Sequence, residues 1–341
     1  MTPGASGVYS RLSHWAVRAI RASGWVAAAF TCIGFGGSIV LATDLVSHFR
    51  VAYVAAILPA LATYLPEIKR RKWPSALLAF ALSLDAAVIA ALYVPPRHRP
   101  DGGSEAPSIR LLQFNIWVKN HRNQDVLSFI ESEAPDVVSI QEVTWSFRTA
   151  MNHGFTDRYH VFSTGGDVLA VRRNAPSIRV RDFTSHTFPR GELLEAQLIV
   201  GNHEVTVLSV HPPPSLRPAQ AAHRVAVFDS IAKLCRERPG PKILIGDLNV
   251  TPWSYAFARL LYNAGLVDSE QGFGVQPTWR ALLGPLSGPL LWPVQIPIDH
   301  CLHAPEMVTL ARATGPACGS DHYPLLVTLQ LRSQPQTPLK P

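Results

Sequence analysis

Hydrophobic positions follow two different patterns along this chain. Before residue 95 they form long, nearly uninterrupted runs at residues 25–46, 49–66 and 73–94. A helix needs about 20 apolar residues to cross a bilayer. The first and third runs meet that length, whereas the second is marginal because its apolar core covers only 51–65. The pattern therefore predicts about three transmembrane helices at the start of the chain.

Short apolar runs of strand length fill the rest of the chain. Two segments, 123–133 and 218–236, instead repeat their apolar residues at the spacing of a helix. Because strands outnumber helices and several strands are consecutive, we predict an α/β fold of four layers, with two packed mixed sheets flanked by helices. The predicted strands are 109–114, 137–141, 168–173, 193–200, 204–210, 242–246 and 324–331.

Composition marks the boundaries between these regions. Residues 95–107 are rich in Pro, Gly, Arg and Ser, a mixture typical of a tether because proline removes backbone donors and ends helices. The last residues are again rich in proline. We therefore predict a membrane anchor (1–94), a linker (95–107), a globular domain (108–331) and a disordered tail (332–341).

The net charge of +7 lies entirely in the first region. Residues 1–100 hold 10 Lys and Arg against 3 Asp and Glu, whereas the remainder holds 21 of each. The surplus therefore reports membrane topology rather than a nucleic-acid surface. Basic residues precede the first run and also form a Lys-Arg-Arg-Lys loop at 69–72. The N-terminus and this loop are therefore expected in the cytoplasm.

The number of spans decides where the globular domain lies. Three spans place everything after residue 94 outside the cytoplasm, in the periplasm or extracellular space. If the second run does not span, the domain faces the cytoplasm instead. Asp85, in the middle of the third run, is most simply interpreted as a protonated carboxyl packed against another helix, with a proton relay or a helix-pairing site as the functional alternative.

Polar side chains recur at the ends of the predicted strands. Each one alone is weak evidence, because a single Glu or His is usually a surface residue and an Asp-Leu-Asn turn is common. Their recurrence at six strand boundaries predicts one shared site, since loops at strand ends carry much of the catalysis in scaffolded enzymes. The residues are Asn115, Gln141-Glu142, His211, Gly246-Asp247-Leu248-Asn249, Asp299 and Ser320-Asp321-His322.

These motifs resemble the endonuclease/exonuclease/phosphatase superfamily over about residues 108–331. The Gly246–Asn249 and Ser320–His322 motifs carry most of the resemblance, and the layout resembles a bacterial membrane-anchored subgroup. The resemblance implies a metal-dependent hydrolase of phosphoric esters. A binding module that keeps the fold without catalysis is the alternative.

The resemblance also implies roles for individual residues. Asp247 and Asn249 orient the attacking water and the phosphate. His322 acts as acid, base or phosphate stabiliser, with Asp299 fixing its tautomer, and either Asp247 or His322 is the base. His211 donates to a phosphate oxygen or to the leaving group.

A divalent cation, Mg²⁺ or Mn²⁺, is expected as the cofactor. Glu142 is the main candidate ligand, Asn115 assists it, and Asp321 supports a second position. Mg²⁺ prefers oxygen ligands and keeps several waters, so one or two carboxylates suffice. His300 follows Asp299 directly and is therefore expected to face away from the site. A Cys301–Cys318 disulfide is plausible if the domain is extracytoplasmic, with free thiols as the alternative.

The substrate class stays open at this stage. The globular domain carries no net charge and so lacks the electrostatic signature of polynucleotide binding. Arg172, Arg173 and Arg190 are candidates for phosphate contacts only by residue type. An apolar insertion at 272–297 could enter the bilayer interface or pack over the sheet. The expected partners are a phosphate ester, nucleic or lipid, and the lipid bilayer, with no obligate protein partner.

Overall fold

The computed structural model describes residues 5–67, 69–70, 72–96, 106–151, 154–188, 191–215, 217–280 and 293–332. Part of the predicted linker (97–105), part of the insertion (281–292), Arg190 and most of the predicted tail lie outside these ranges.

Helices make up the described part of residues 5–94, which we call the N-terminal helical region. Helix α1 covers Ala5–Gly34, α2 covers Arg50–Tyr64 and α3 covers Lys72–Ala91. Short 3₁₀ turns occupy Phe35–Ser38, Leu41–Phe49 and Leu65–Glu67. Among the described residues, three segments are long and apolar enough to cross a membrane: His14–Ser38, Leu41–Glu67 and Lys72–Ala91.

The structure divides the first predicted helix, 25–46, into two parts. Helix α1 ends at Gly34, and the 3₁₀ turn Leu41–Phe49 packs back against that end. A Cβ atom at Gly34 would lie 3.2 Å from the Ser47 Cα, so a larger side chain would force the two segments apart. We call residues 41–49 the 41–49 segment; it joins α1 to α2 instead of extending α1.

Asp85 of α3 has charged and polar partners inside the helical region. Arg50 Nη1 donates to its Oδ1 at 2.8 Å, and Thr31 Oγ1 donates to its Oδ2 at 2.6 Å. Both members of the ion pair are buried. Asp85 therefore packs against neighbouring helices, as the simplest interpretation expects, but an arginine is among its partners. Arg50 lies just outside the second apolar core, so the hydrophobic pattern alone does not pair it with Asp85.

In the parts of the globular region that the structure describes there are the predicted strands and five more. The strands are β1 (Ser108–Asn115), β2 (Val137–Gln141), β3 (Tyr159–Thr164), β4 (Asp167–Arg172), β5 (Ile178–Phe188), β6 (Gly191–Val200), β7 (His203–Val210), β8 (Lys242–Asp247), β9 (Val267–Asp268), β10 (Asp299–His303), β11 (Met307–Thr314) and β12 (Leu325–Leu331). The helices are α4 (Asn123–Glu133), α5 (Trp145–Met151), α6 (Phe155–Arg158), α7 (Pro218–Glu237) and α8 (Tyr255–Ala264).

Within the described residues these strands form two mixed six-stranded sheets. Their orders are β11-β12-β1-β2-β4-β3 and β5-β6-β7-β8-β10-β9, and the pairs β1–β2 and β7–β8 are parallel. One apolar core lies between the sheets, and it includes Leu111, Leu169 and Ile245. Two outer cores cover the sheets with α4 and α5 on one side and α7 and α8 on the other. The predicted four-layer α/β sandwich is confirmed.

The cysteines are free thiols, so the suggested Cys301–Cys318 disulfide is not formed. Cys301 on β10 is buried in the core between the two sheets. Cys318 packs instead against the outer core that lies beneath α4. Because the two thiols belong to different layers, the backbone does not bring them together.

Two sets of contacts hold the sandwich against the N-terminal helical region. Asp44 of the 41–49 segment accepts hydrogen bonds from the first two backbone N–H groups of α8, Tyr255 at 2.7 Å and Ala256 at 3.2 Å. The Leu92 carbonyl accepts from Gly272 N at 2.7 Å and Gly274 N at 3.0 Å. A carboxylate at a helix N-terminus satisfies free donors and interacts favourably with the helix dipole.

Candidate active site

Strand register brings the predicted site residues to one edge of the sandwich. Asn115 ends β1 beside Gln141, the last residue of β2, and Glu142 follows directly. On the other sheet Asp299 pairs in register with Asp247. His211 follows β7, which runs parallel to β8. The carboxyl ends of four strands and the start of a fifth therefore meet around one cleft.

The turn after β8 aims Asp247 into this cleft. Asn249 N donates to Asp247 Oδ1 at 2.9 Å, which is an Asx turn, and Asn249 itself adopts a left-handed φ of +53°. Gly246 makes the turn possible. A Cβ atom there would lie 1.9 Å from the Val210 carbonyl oxygen, so only glycine allows the ends of β7 and β8 to approach this closely.

Asp299 and His322 form a buried hydrogen-bonded pair. His322 Nδ1 lies 2.7 Å from Asp299 Oδ2. Gln113 Nε2 donates to the other carboxylate oxygen of Asp299, and the Asp299 N–H donates to Thr278 Oγ1 at 3.1 Å. Nε2 of His322 faces Asp247 Oδ2 at 3.8 Å. The carboxylate therefore fixes the ring so that its second nitrogen points at Asp247.

A second imidazole approaches Asp247 from the other side. His211 Nε2 lies 3.7 Å from Asp247 Oδ2, and its Nδ1 lies 3.7 Å from Asp167 Oδ1. Asn115 Nδ2 donates to the same Asp247 oxygen at 3.1 Å. One carboxylate oxygen is thus surrounded by an amide and two rings.

Glu142 and Asp321 also line the cleft. Asn115 Nδ2 donates to Glu142 Oε1 at 3.0 Å, and Val118 N donates to Oε2 at 2.9 Å. Glu142 adopts a left-handed φ of +57°, a strained conformation that the surrounding contacts hold in place. Trp279 Nε1 donates to Asp321 Oδ2 at 3.3 Å, whereas Asp321 Oδ1 is buried with no hydrogen-bond partner.

These oxygen donors fit a divalent cation. The buried Asp321 Oδ1 without a partner is a group that a cation would satisfy, and Glu142 keeps further lone pairs. Asp247, Asp299 and His322 also place one ligand atom each within 4.8 Å of one another. Because Asp299 and His322 already bond to each other, Glu142, Asn115 and Asp321 are the other residues whose oxygen atoms could hold a cation.

Burial and neighbouring charge shift the protonation of the central groups. Burial and the Asp299 carboxylate raise the pKa of Asp247 to about 6, in opposition to the two imidazoles. Burial lowers the pKa of His322, but Asp299 and Asp247 outweigh it and raise that pKa to about 9. Burial likewise opposes Asp167 and Asp247 at His211, where the pKa also rises to about 9. At neutral pH both rings therefore carry a proton that they can donate.

The cleft is a cavity of about 720 Å³ with one wall from an unexpected source. Its floor includes Glu142, His211, Asp247 and His322. Leu45, His48 and Phe49 of the 41–49 segment form part of its wall. A segment of the N-terminal helical region thus completes the cavity.

All eight predicted site residues lie in or beside this cleft, although their roles stay predictions. They are Asn115, Glu142, His211, Asp247, Asn249, Asp299, Asp321 and His322. His300 faces the opposite way, stacking on Phe257 of α8 with ring centroids 4.5 Å apart. Arg172 and Arg173 lie elsewhere, bonded to Asp136 and to the Thr156 carbonyl.

Sequence reasoning missed several residues that support the site. Gln113 lies two positions before Asn115 on the same face of β1, so the period of the strand could have revealed it. Asp167 begins β4 after a Gly-Gly turn, and Arg224 of α7 donates to the Asn249 carbonyl at 3.2 Å. Neither lies in a motif, so neither could have been found from sequence alone.

The sequence of the sandwich assigns the chain to a known family. The model of the Endonuclease/Exonuclease/phosphatase family matches residues 112–322, more than half of the chain. The chain belongs to this family, which confirms the resemblance found in the sequence. Members of the family are typically hydrolases that act on phosphoester bonds and use divalent metals. No curated protein matches the sequence.

Solved structures of related proteins share the fold at low identity. TDP2 of D. rerio, complexed with single strand DNA product, is 18% identical with a TM-score of 0.56 over 65% of this chain and 99% of its own. A Bacteroides vulgatus endonuclease/exonuclease/phosphatase is 19% identical with a TM-score of 0.53, over 66% and 99%. The human Nocturnin catalytic domain with bound sulfate is 15% identical with a TM-score of 0.51, over 70% and 98%.

Proposed function

We propose that this protein is a membrane-anchored, metal-dependent phosphoesterase that hydrolyses a phosphoric ester by in-line attack of water. The observation that carries the proposal is the convergence on Asp247 Oδ2 of two cationic imidazoles, at 3.7 and 3.8 Å, beside a separate group of oxygen donors. Such a site can bind an anionic phosphate, orient water and return a proton to the leaving group.

Each side chain has a distinct task in this proposal. Asp247 accepts a hydrogen bond from the attacking water, and Asn249 helps to position the phosphate. His322 Nε2 donates to a phosphate oxygen or to the leaving group, while Asp299 holds the ring in place. His211 donates from the other side of the cleft, held by Asp167.

Glu142, Asn115 and Asp321 would hold Mg²⁺ or Mn²⁺. When bound, such a cation neutralises negative charge on the phosphate oxygens. The residue types favour Mg²⁺ because the ligands are hard oxygens and few in number. Asn115 also links this group to Asp247, since its amide donates to Glu142 at 3.0 Å and to Asp247 at 3.1 Å.

The arrangement of helices supports an extracytoplasmic catalytic domain. The 41–49 segment and Leu92 both contact the sandwich, so the two ends of the helical region that join it lie on one side. The basic residues Lys69, Arg70 and Lys72 lie at the opposite end, between α2 and α3. The positive-inside rule places that basic end in the cytoplasm and the catalytic domain across the membrane.

Hydrolysis of bis-p-nitrophenyl phosphate by the full chain in detergent tests the activity. We expect turnover with Mg²⁺ or Mn²⁺, loss of turnover in EDTA and recovery on metal addition. Asp247→Asn should remove most of the turnover. Asp182→Asn, an exposed aspartate on β5, is the matched control and should keep wild-type turnover. A folded protein with no metal-dependent turnover would favour a binding module instead of an enzyme.

Reporter fusions after residue 96 test the orientation. A reporter active only outside the cytoplasm should be active there, and a fusion at Lys69 should be inactive. The reverse pattern would place the catalytic domain in the cytoplasm.

A further inference from the structure

The wall that the helical region adds to the cleft is fixed in position. Besides the two backbone bonds that Asp44 accepts from α8, His48 Nδ1 lies 3.0 Å from Thr251 Oγ1. At its other end the segment runs directly into Arg50, which pairs with Asp85 at 2.8 Å. Buried polar contacts of Asp44, His48 and the adjacent Arg50 therefore hold the 41–49 segment in place against the cavity.

The wall is apolar where it meets the cleft. Leu45 and Phe49 line the cavity, and they continue into further apolar side chains from the sandwich: Trp117, Pro213, Trp279 and Ile296. Phe49 stays 36% exposed, so its ring is available to a ligand. The cavity thus combines a polar, catalytic floor with apolar upper walls.

The charge on this lining comes from imidazoles and carboxylates. Among the described residues that line the cavity there is no lysine or arginine. A polynucleotide needs several basic side chains along its backbone, because neutralisation of successive phosphates supplies most of its binding energy. The walls therefore suit a substrate with one phosphate group and an apolar remainder.

The position of the wall relative to the helices points to the source of such a substrate. The 41–49 segment follows the first membrane-length segment and begins the second, so it lies at the end of these helices that contacts the sandwich. Just before it, Ile39 and Val40 are 87% and 52% exposed, although both are apolar. Exposed aliphatic side chains beside the ends of such helices suit the bilayer interface.

We infer that the 41–49 segment is the specificity wall of the active site and selects phosphoesters that carry a hydrocarbon chain. This inference rests on the proposed phosphoesterase function. The phosphate would enter the cleft toward Asp247 and His322, and the chain would lie along Leu45 and Phe49 toward the bilayer. A lipid phosphoester is therefore the substrate class, and a nucleic acid is not.

Two substrates that differ only in their alkyl chain test recognition of that alkyl chain separately from hydrolysis of the ester. Methyl p-nitrophenyl phosphate and dodecyl p-nitrophenyl phosphate have the same scissile bond and leaving group and differ only in the alkyl chain. Turnover of both by the full-length protein in detergent micelles gives a ratio of kcat/KM for the dodecyl ester over the methyl ester. Partition into micelles raises this ratio for any embedded enzyme, so the change in the ratio between variants decides the result.

Polar substitutions in the wall should lower this ratio. We expect Phe49→Ser and Leu45→Ser each to reduce it about tenfold, since each removes apolar contact with the chain. Phe80→Ser is the matched control, because Phe80 is an exposed aromatic residue of α3 that does not line the cavity. The control should keep the wild-type ratio.

The outcomes separate failure of this inference from failure of the proposed function. Suppose that both esters are turned over and that the ratio is equal in wild type, Phe49→Ser and Leu45→Ser. This result would contradict the role of the 41–49 segment in specificity but not the proposed phosphoesterase function. Faster turnover of a labelled single-stranded DNA than of the dodecyl ester would do the same. Turnover of neither ester with Mg²⁺ or Mn²⁺ would remove both proposals.

Discussion

Buried charge is arranged in opposite ways in the two halves of this molecule. In the N-terminal helical region the buried Asp85 has a guanidinium 2.8 Å away and a hydroxyl at 2.6 Å. In the cleft, Asp247 lies near Asp299, shares the Asn115 amide with Glu142, and faces two imidazoles at 3.7 Å and 3.8 Å. The first arrangement is balanced by one direct pair, whereas the second leaves acidic groups crowded together.

The difference separates charge that holds the fold from charge that serves chemistry. A buried ion pair with direct contacts is costly to break, but it leaves no unpartnered atom that could bind a ligand. Crowded carboxylates with an unsatisfied oxygen, as at Asp321 Oδ1, are stabilised only when something else binds. Substitutions in the two regions should therefore affect different properties, activity in the cleft and stability in the helices.

The largest effect is expected from Asp299→Asn. The amide keeps the shape of the side chain but no longer stabilises the His322 imidazolium, so kcat should fall by about a hundredfold to ten-thousandfold while KM changes little. Turnover of bis-p-nitrophenyl phosphate and thermal unfolding in detergent measure both properties. Asp182→Asn on β5 is the control. A loss of folding in parallel with activity would contradict the assignment of Asp299 to catalysis.

Arg50→Met should lower the stability of the protein rather than act on its catalytic groups. It leaves Asp85 buried without its cation, which costs about 3–5 kcal/mol of unfolding free energy. The double variant Arg50→Met, Asp85→Leu should regain most of that stability, because the unpaired charge is gone. Arg21→Met breaks a pair that is partly exposed and should cost about 1 kcal/mol or less. Equal losses for Arg50→Met and Arg21→Met would refute a structural role for the buried pair.

Asp44→Ala tests the junction between the two regions. It removes the acceptor for the first two N–H groups of α8, which should cost about 1 kcal/mol of stability. Because the same residue holds the 41–49 segment against the cleft, kcat/KM should fall about fivefold as well. Thr43→Ser, one residue earlier, is the control. A loss of stability without any loss of turnover would show that the 41–49 segment does not contribute to the active site.

Glu195→Gln tests a structural charge inside the sandwich through its pH dependence. Burial raises the pKa of Glu195, but bonds from Arg238, Gln197 and His186 outweigh it and hold that pKa below the ordinary 4.5. The charged form is thus favoured in the folded state, and its contribution is present above pH 4.5 and lost as pH falls through the lowered pKa. The variant should be about 1 kcal/mol less stable at pH 7 and should approach wild type in acid.

The control for this change is Glu204→Gln, which breaks a pair with Arg181 in which both side chains are more than half exposed. It should have little effect at any pH. Thermal unfolding of both variants between pH 3 and pH 7 gives the comparison. A constant difference between Glu195→Gln and wild type across this range would contradict the charge-based explanation.

The catalytic floor was predictable because its residues are tied to strand ends. A strand that stops after an apolar run places the next polar residue at the sheet edge, so the sequence alone gathers Asn115, Glu142 and Asp247 at one edge. Strands β5 and β10 escape sequence reasoning for identifiable reasons. Strand β5 is an edge strand in which every residue after Ile178 is exposed or half-buried, and Asp299–His303 is too polar to resemble a buried strand.

The apolar wall could not have been predicted in the same way. Asp44 of the 41–49 segment lies 211 residues before Tyr255, whose N–H donates to it. The apolar residues of the segment continue the first hydrophobic run, so they predict a longer helix. The run is divided because residues 41–49 pack closely against Gly34 and because Asp44 accepts hydrogen bonds from α8.

The double attachment of the sandwich, at Asp44 and at the Leu92 carbonyl, fixes its height above the three helices. Once those helices are in a bilayer, the reaction centre travels with them and cannot tumble freely toward the bulk solution. Under the proposed lipid specificity, encounters with the substrate would then take place by lateral diffusion in two dimensions. The rate should follow the mole fraction of substrate in the surface, and dilution of the vesicle suspension should leave it unchanged.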